Sequence, residues 1–413
     1  MASRTSNPSD SDTEVGTEPR TDKVCFLDRL EHFTWAWFTL PMATGGLSLL
    51  LSAQIQPHTF PGLETIGKAV YIWDLFIFSA VTLCITYRFV RFPGTFTGSL
   101  THPTESLFAA TPLLSLASII AAIARHGIPS SGEWLIVAYR MLFWIYFGVS
   151  FIAAIGLYFL LFTSPSLKIN DMTPAWDLPI FPFMLSGTIA ACGAGNQPPD
   201  QAVPMIVAGL TAQGLGMMIS ILIYANYIHR MIQYGFPRPE SRAGMFIAVG
   251  PPSFTSLALI GMANDFPAIY RAYFGVEATT IQIIKVGATM MAVFIWSLSL
   301  WFFCISTLAC LAVRHEMRFR LGWYAFVFPN VGFTIATISI GKMLHSAGVD
   351  WVGSIMSAVL VITYLAVGFH HVRAFVRREI LWEGKDEDTY WGELHHKTHK
   401  AEGNGADRSD GRV

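Results

Sequence analysis

Long apolar segments recur along almost the whole chain and constrain its fold more than any other feature. Only 13% of the 413 residues are charged and 53% are hydrophobic, whereas about 25% of an average soluble domain is charged. A helix needs about 20 mostly apolar residues to cross a bilayer, so the sequence predicts an all-α polytopic membrane protein. The ten predicted membrane-spanning helices cover 34–54, 69–90, 105–125, 134–162, 177–193, 202–228, 244–263, 280–313, 321–344 and 350–376.

Polar segments flank these apolar runs. Residues 1–24 are rich in Ser, Thr, Asp and Glu, with no apolar stretch and no secretory signal peptide. We predict a disordered N-terminal tail over 1–28, a ten-helix transporter domain over 29–380 and a polar C-terminal tail over 381–413.

The basic residues predict the orientation of the chain. They concentrate in the connections on one side of the predicted spans, and the positive-inside rule assigns that side to the cytoplasm. Both termini are therefore predicted to be cytoplasmic. The connections after spans 2, 6 and 8 carry Arg88, Arg91, Arg230, Arg238, Arg242, Arg314, Arg318 and Arg320.

The composition also argues against several classes of protein. A net charge of −1 gives no reason to expect a nucleic-acid partner. The five cysteines form no CxxC pair, so neither a metal site nor a disulfide framework is predicted. The spans contain no HExxH motif and no paired catalytic carboxylates. We therefore expect neither an enzyme nor a bound cofactor.

Proline falls at a similar depth in every second predicted span. An interior proline removes one backbone hydrogen bond and clashes with the preceding turn, so it kinks a helix. Lipid cannot satisfy the carbonyl group that is freed in this way. We therefore predict that the five odd helices are inner, kinked helices around a central pore, and that the even helices are outer. The prolines are Pro41, Pro112, Pro182, Pro251 and Pro329.

Hydroxyl and small residues follow each of these prolines. One interpretation is close helix packing, which small residues allow. The other is a narrow lumen lined by hydroxyl groups and by backbone N–H groups at broken helix ends, which attract anions. The candidate pore-lining residues are Thr44, Ser115, Ser186, Ser253, Thr255 and Thr334.

Few cations lie within the predicted spans. Arg140 is the deepest of them, and an arginine can bind both oxygens of a carboxylate. It is a candidate for the conduit, or else for an ion pair with Asp74. Lys342 and Arg88 lie near span ends, where such side chains usually extend to the membrane interface.

Three segments resemble a known family. They are FTWAWFTLPMATGG at 33–46, GPPS at 250–253 and WYAFVFP at 323–329. These segments are similar to fungal malic-acid permeases of the tellurite-resistance/dicarboxylate transporter family, which includes plant slow anion channels and yeast sulfite pumps. The resemblance covers about residues 26–380.

The resemblance implies five helical hairpins, a pore through each subunit, a homotrimer and a place in the plasma membrane. It also implies an aromatic plug on the ninth helix. The matching residue is Phe328, directly before Pro329, with Phe326 as the alternative. Phe181 precedes Pro182 in the same way and is a further gate candidate.

The expected function is transport of C4-dicarboxylates such as malate and succinate, with malonate and fumarate as further candidates. The alternative is an exporter or channel for sulfite or another small inorganic anion on the same fold. The sequence does not decide between a channel and a proton-coupled transporter, nor whether transport depends on voltage.

Overall fold

The computed structural model describes residues 26–102, 104–163, 169–273 and 278–382. Most of the two predicted tails lies outside these ranges. Within them the chain is helical and contains no β-strand, which confirms the all-α prediction. Both described ends meet at one end of the bundle, because Arg29 Nε donates to the carbonyl of Leu381 over 3.2 Å. We call that end the proximal face and the opposite end the distal face.

Ten helices of more than eleven residues form the body of the described chain. Eight helical segments of this part are long and apolar enough to cross a membrane. The first and fifth helices, with 12 and 13 residues, are shorter than this. The count of ten crossings therefore stays a prediction. The ten helices are α1 Thr39–Leu50, α2 Leu63–Arg91, α3 Thr111–Ala122, α4 Glu133–Thr163, α5 Phe181–Gly193, α6 Pro199–Tyr234, α7 Gly250–Tyr273, α8 Ala278–Leu311, α9 Phe328–Leu344 and α10 Ala347–Val376.

Each of the five prolines lies in the first turn of an α-helix. Pro41 is the third residue of α1, and the other four are the second residues of α3, α5, α7 and α9. The missing proline N–H costs little at this position. A tighter 3₁₀ segment, or for α3 a short separate helix, precedes each start; examples are Trp35–Phe38 and Leu321–Phe326. The sequence prediction placed these prolines inside the spans, and the structure starts a new helix at each of them.

The odd and even helices differ sharply in burial. In the segments that contain the odd helices α3, α7 and α9, 72–89% of the most apolar 18-residue stretch is buried. In the five even helices the corresponding share is 22–39%. Every residue of α5 is buried, and so are all residues of α1 except Leu40. The odd helices contact one another in the closed order α1, α3, α5, α7, α9 and back to α1. They form an inner ring, and each packs against the outer helix that follows it in the chain.

A buried ion pair joins helices at the proximal face. Arg88, near the end of α2, is only 2% exposed and binds the carboxylate of Glu105, which is 5% exposed. The guanidinium also donates to the carbonyl of Phe33 over 2.8 Å. The expectation that Arg88 extends to the membrane interface is therefore wrong, because an acidic partner inside the protein binds it.

Candidate functional site

Three cavities follow one another along the axis of the inner ring, and all five inner helices, with the segments that adjoin them, contribute to each. The proximal cavity, of about 20 Å³, lies where the helices begin. The central cavity, of about 10 Å³, shares Phe328 with the proximal one. The distal cavity, of about 180 Å³, shares Leu49 with the central one. The cavities thus form a discontinuous path along the axis of the inner ring, and aromatic and aliphatic side chains separate them.

A cluster of three phenylalanines closes this path between the proximal and central cavities. Phe328 lines both cavities, Phe181 lines the proximal one and Phe254 the central one. The Phe254 and Phe328 rings are stacked with centroids 5.1 Å apart, and Phe181 lies 5.7 and 6.1 Å from them. All three are no more than 2% exposed. Sequence reasoning missed Phe254, because it follows Pro251 instead of preceding it.

Glycines provide the space for two of these rings on neighbouring helices. A Cβ atom on Gly46 of α1 would lie 3.0 Å from Cδ2 of Phe328, and one on Gly332 would lie 2.7 Å from the Phe254 ring. Real Cβ atoms rarely come this close to another atom. Glycine at these positions is therefore part of the constriction.

Phe326, the alternative gate residue, lies elsewhere. Its ring packs against Phe246 and Trp323, at centroid distances of 5.2 and 5.8 Å. It lines none of the three cavities.

The predicted pore-lining hydroxyls lie on other faces of the inner helices. Thr44 hydrogen-bonds the hydroxyl of Tyr364 on α10 over 2.8 Å, and Ser253 bonds Ser299 on α8 over 3.0 Å. The Thr255 hydroxyl lies 2.8 Å from the side-chain amide of Gln213 on α6. Ser115 donates to the carbonyl of Phe38, and Thr334 to that of Asn330. The hydroxyl of Ser186 is buried and has no hydrogen-bond partner among the described residues, and Ser186, like the other five, lines none of the three cavities.

Other hydroxyl groups line the path instead. Thr39 and Thr111 border the proximal cavity, and Ser118 and Thr188 border the central one. The hydroxyl of Thr188 is buried and has no hydrogen-bond partner in the described chain.

The distance in sequence between a lining residue and the proline of the same inner segment is the signal that could have identified the lining residues. Phe108, Leu178, Ile247 and Ala325 lie four residues before Pro112, Pro182, Pro251 and Pro329 and border the proximal cavity. Ser118 and Thr188 lie six residues after their prolines.

Arg140, the deepest cation of the predicted spans, does not contact Asp74, which the sequence offered as its ion-pair partner. Arg140 lies on the outer helix α4, is partly exposed and lines none of the three cavities. Asp74 is fully buried, and neither of its carboxylate oxygens has a hydrogen-bond partner in the described part of the chain. The two residues therefore do not form an ion pair. Lys342, in contrast, lines the distal cavity.

An apolar helical bundle with a row of cavities along its axis is typical of an integral membrane protein of the transporter and channel class. The family model described as SLAC1, voltage-dependent anion channel, matches residues 32–372. The chain belongs to this family. The family resemblance found in the sequence is therefore confirmed.

Curated relatives match over most of the chain. A malic acid transport protein of Schizosaccharomyces pombe is 40% identical over 370 residues, which cover 89% of this chain and 84% of the relative. A putative malic acid transport protein of the same species is 38% identical over 372 residues, covering 89% of this chain and 86% of the relative. A sulfite efflux pump, SSU1, of Trichophyton rubrum is 26% identical over 343 residues, covering 82% of this chain and 89% of the pump.

Proposed function

We propose that this protein transports C4-dicarboxylates, malate and succinate foremost, through the centre of the inner ring. The observation that carries the proposal is the row of three cavities, each lined by all five inner helices and interrupted at Phe328. The 40% identity to a malic acid transport protein supports this choice of substrate.

The proposed architecture has ten membrane crossings, arranged as five hairpins. It includes the two short helices α1 and α5, each extended by the 3₁₀ segment before it. The proximal face is cytoplasmic in this proposal, because the basic connections and both described ends lie there. A homotrimer in the plasma membrane completes it.

The N-termini of the inner helices provide a favourable electrostatic environment for an anion at the proximal cavity. All five begin around it, which directs the positive ends of five helix dipoles toward the path. The side chains of Thr39 and Thr111 border the same space, and their hydroxyls donate to the backbone carbonyls of Ala36 and Phe108. The partial positive charge of a helix N-terminus stabilises an anion without binding it so tightly that it cannot leave. The stacked rings of Phe328 and Phe254 must separate before a dicarboxylate passes.

Cells that produce this protein are expected to take up labelled malate faster than control cells. Unlabelled succinate should compete with this uptake, because both molecules present two carboxylates, and sulfite should compete weakly. The measurement is initial uptake with each competitor in excess. Strong competition by sulfite and none by succinate would favour the inorganic-anion alternative, which the similarity to the sulfite pump keeps open.

We also propose that transport is coupled to a proton that Asp74 binds. Asp74 Oδ2 lies within 2.6 Å of the place where a Cβ atom on Gly45 would stand, and Gly46 faces Phe328 on the other side of α1. Two adjacent residues of α1 thus face the carboxyl group and the proposed gate. A buried, unpaired carboxylate is costly at membrane depth, whereas its protonated form is not. The titratable groups that interact with it are Tyr71 on α2 and Tyr364 on α10.

The Asp74→Asn variant, which mimics the protonated residue, tests this coupling. A negative charge beside the path opposes anions, so wild-type uptake should fall with rising pH more steeply than uptake by the variant. The ratio of variant to wild-type uptake is measured at each pH, because malate's own titration cancels in it. Glu64→Gln, a partly exposed carboxylate on the same helix, is the matched control and should leave the ratio constant. A constant ratio for Asp74→Asn as well would refute the coupling.

A further inference from the structure

Two cationic side chains line the distal cavity. Arg125 follows α3 in the segment Ile123–Gly127, and Lys342 lies in the last turn of α9. No Asp or Glu of the described chain lines this cavity. Among the described residues that line this cavity, two side chains are therefore cationic and none is acidic.

One neutral residue positions both cations. Arg125 Nη1 donates to the side-chain oxygen Oε1 of Gln54 over 3.0 Å. Lys342 Nζ donates to the backbone carbonyl of the same residue, also over 3.0 Å. Gln54, in the segment after α1, accepts both hydrogen bonds with uncharged oxygens. It therefore positions the two side chains and leaves their positive charges uncompensated.

Both cations keep unused hydrogen-bond donors. A guanidinium has five N–H groups and an ammonium has three, and Gln54 accepts one from each. The Arg125 Nε atom is buried and has no partner in the described chain. Cys192 also interacts with the guanidinium, and the remaining Nη and Nζ donors are the ones that a ligand in the cavity could use.

The nearest acidic groups lie outside the cavity. Asp265 interacts electrostatically with Arg125, but its carboxylate accepts a hydrogen bond from the backbone N–H of Gly195 over 2.8 Å. Asp350, in the first turn of α10, interacts with Lys342 from behind α9. Neither carboxylate occupies the space between the two cations.

We propose that Arg125 and Lys342 form a binding site for the two carboxylates of a C4-dicarboxylate at the distal mouth of the path. This inference rests on the proposed function and adds the residues that select a dianion. The planar guanidinium binds one carboxylate by two parallel hydrogen bonds, and the ammonium binds the other as a point charge. Asn264 and Ser339 line the same cavity and provide neutral polar groups for a substrate hydroxyl.

Removing either cation should raise the substrate concentration for half-maximal uptake. We expect about a tenfold rise for succinate in Arg125→Met and in Lys342→Met, because a hydrogen bond to a charged group contributes at least about that factor. The maximal rate should change little, since neither residue contacts the phenylalanine cluster. Acetate, with one carboxylate, should lose less affinity than succinate. Lys342→Arg keeps the charge and should restore most of the affinity.

Lys68→Met is the matched control. Lys68 is a partly exposed lysine near the distal end of α2, where it pairs with Glu64 over 3.7 Å and lines none of the three cavities. Its removal should leave the half-saturating concentration unchanged. A shift as large as that of Lys342→Met would mean that the general surface charge, and not a site, is responsible.

Binding to the purified full chain separates this inference from the proposed function. Succinate should raise the melting temperature of the wild-type protein in detergent, and it should do so much less for Lys342→Met. If cells show no malate uptake but this difference persists, the proposed function fails and the site stands. If uptake is normal and both cation variants keep the wild-type half-saturating concentration and the wild-type response to succinate, the site is refuted.

Discussion

Phe328→Ala is expected to raise anion flux through the protein by about tenfold or more. Lowering the free-energy barrier to permeation by about 1.4 kcal/mol is enough for a tenfold rise. Among the described residues, Phe328 alone lines both the proximal and the central cavity. Its removal joins them, because Gly46 opposite it has no side chain to fill the space. The measurement is the anion current or the labelled-malate uptake per protein at the cell surface.

Two other phenylalanines provide the controls. Phe302, on α8, is as buried as Phe328 at 1% against 2% exposed, but it packs against Tyr224 and lines none of the cavities. Phe302→Ala therefore causes a comparable loss of packing without opening the path. Phe326→Ala tests the alternative gate. An unchanged flux in a normally expressed Phe328→Ala variant, or an equal rise in Phe302→Ala, would contradict the assignment.

Arg88→Met should lower the free energy of unfolding by about 3–5 kcal/mol, the usual cost of removing one partner of a buried ion pair. The substitution takes the guanidinium away from the buried carboxylate of Glu105 and from the carbonyl of Phe33. The measurement is the unfolding midpoint of the purified protein in detergent.

The double variant Arg88→Met with Glu105→Met should recover much of this loss, since a pair of apolar side chains often replaces a buried ion pair without net cost. Arg91→Met is the matched control, because Arg91 ends the same helix but is exposed. A destabilisation as large in Arg91→Met as in Arg88→Met would show that helix-end charge, and not the buried pair, is responsible.

The difference between predicted and observed lining residues has a physical cause. Sequence patterns locate the inward face of a helix when one side is polar, but every residue of α5 and nearly every residue of α1 is buried. A helix that is apolar on all sides has no amphipathic signal. In the sequence, Thr44 and Ser253 are therefore indistinguishable from Thr188 as candidates for lining the path, although their hydroxyls bond to outer helices.

The sequence by itself determined the helical class, the family and the alternation of proline-bearing segments. It also determined that a phenylalanine directly precedes Pro329. These features depend on local hydropathy and on the backbone chemistry of proline. Only the tertiary structure decided the rotation of each inner helix, the contact of Phe254 with Phe328 and the approach of Arg125 and Lys342 to Gln54. Such contacts join residues up to 288 positions apart, and no local pattern encodes the packing that brings them together.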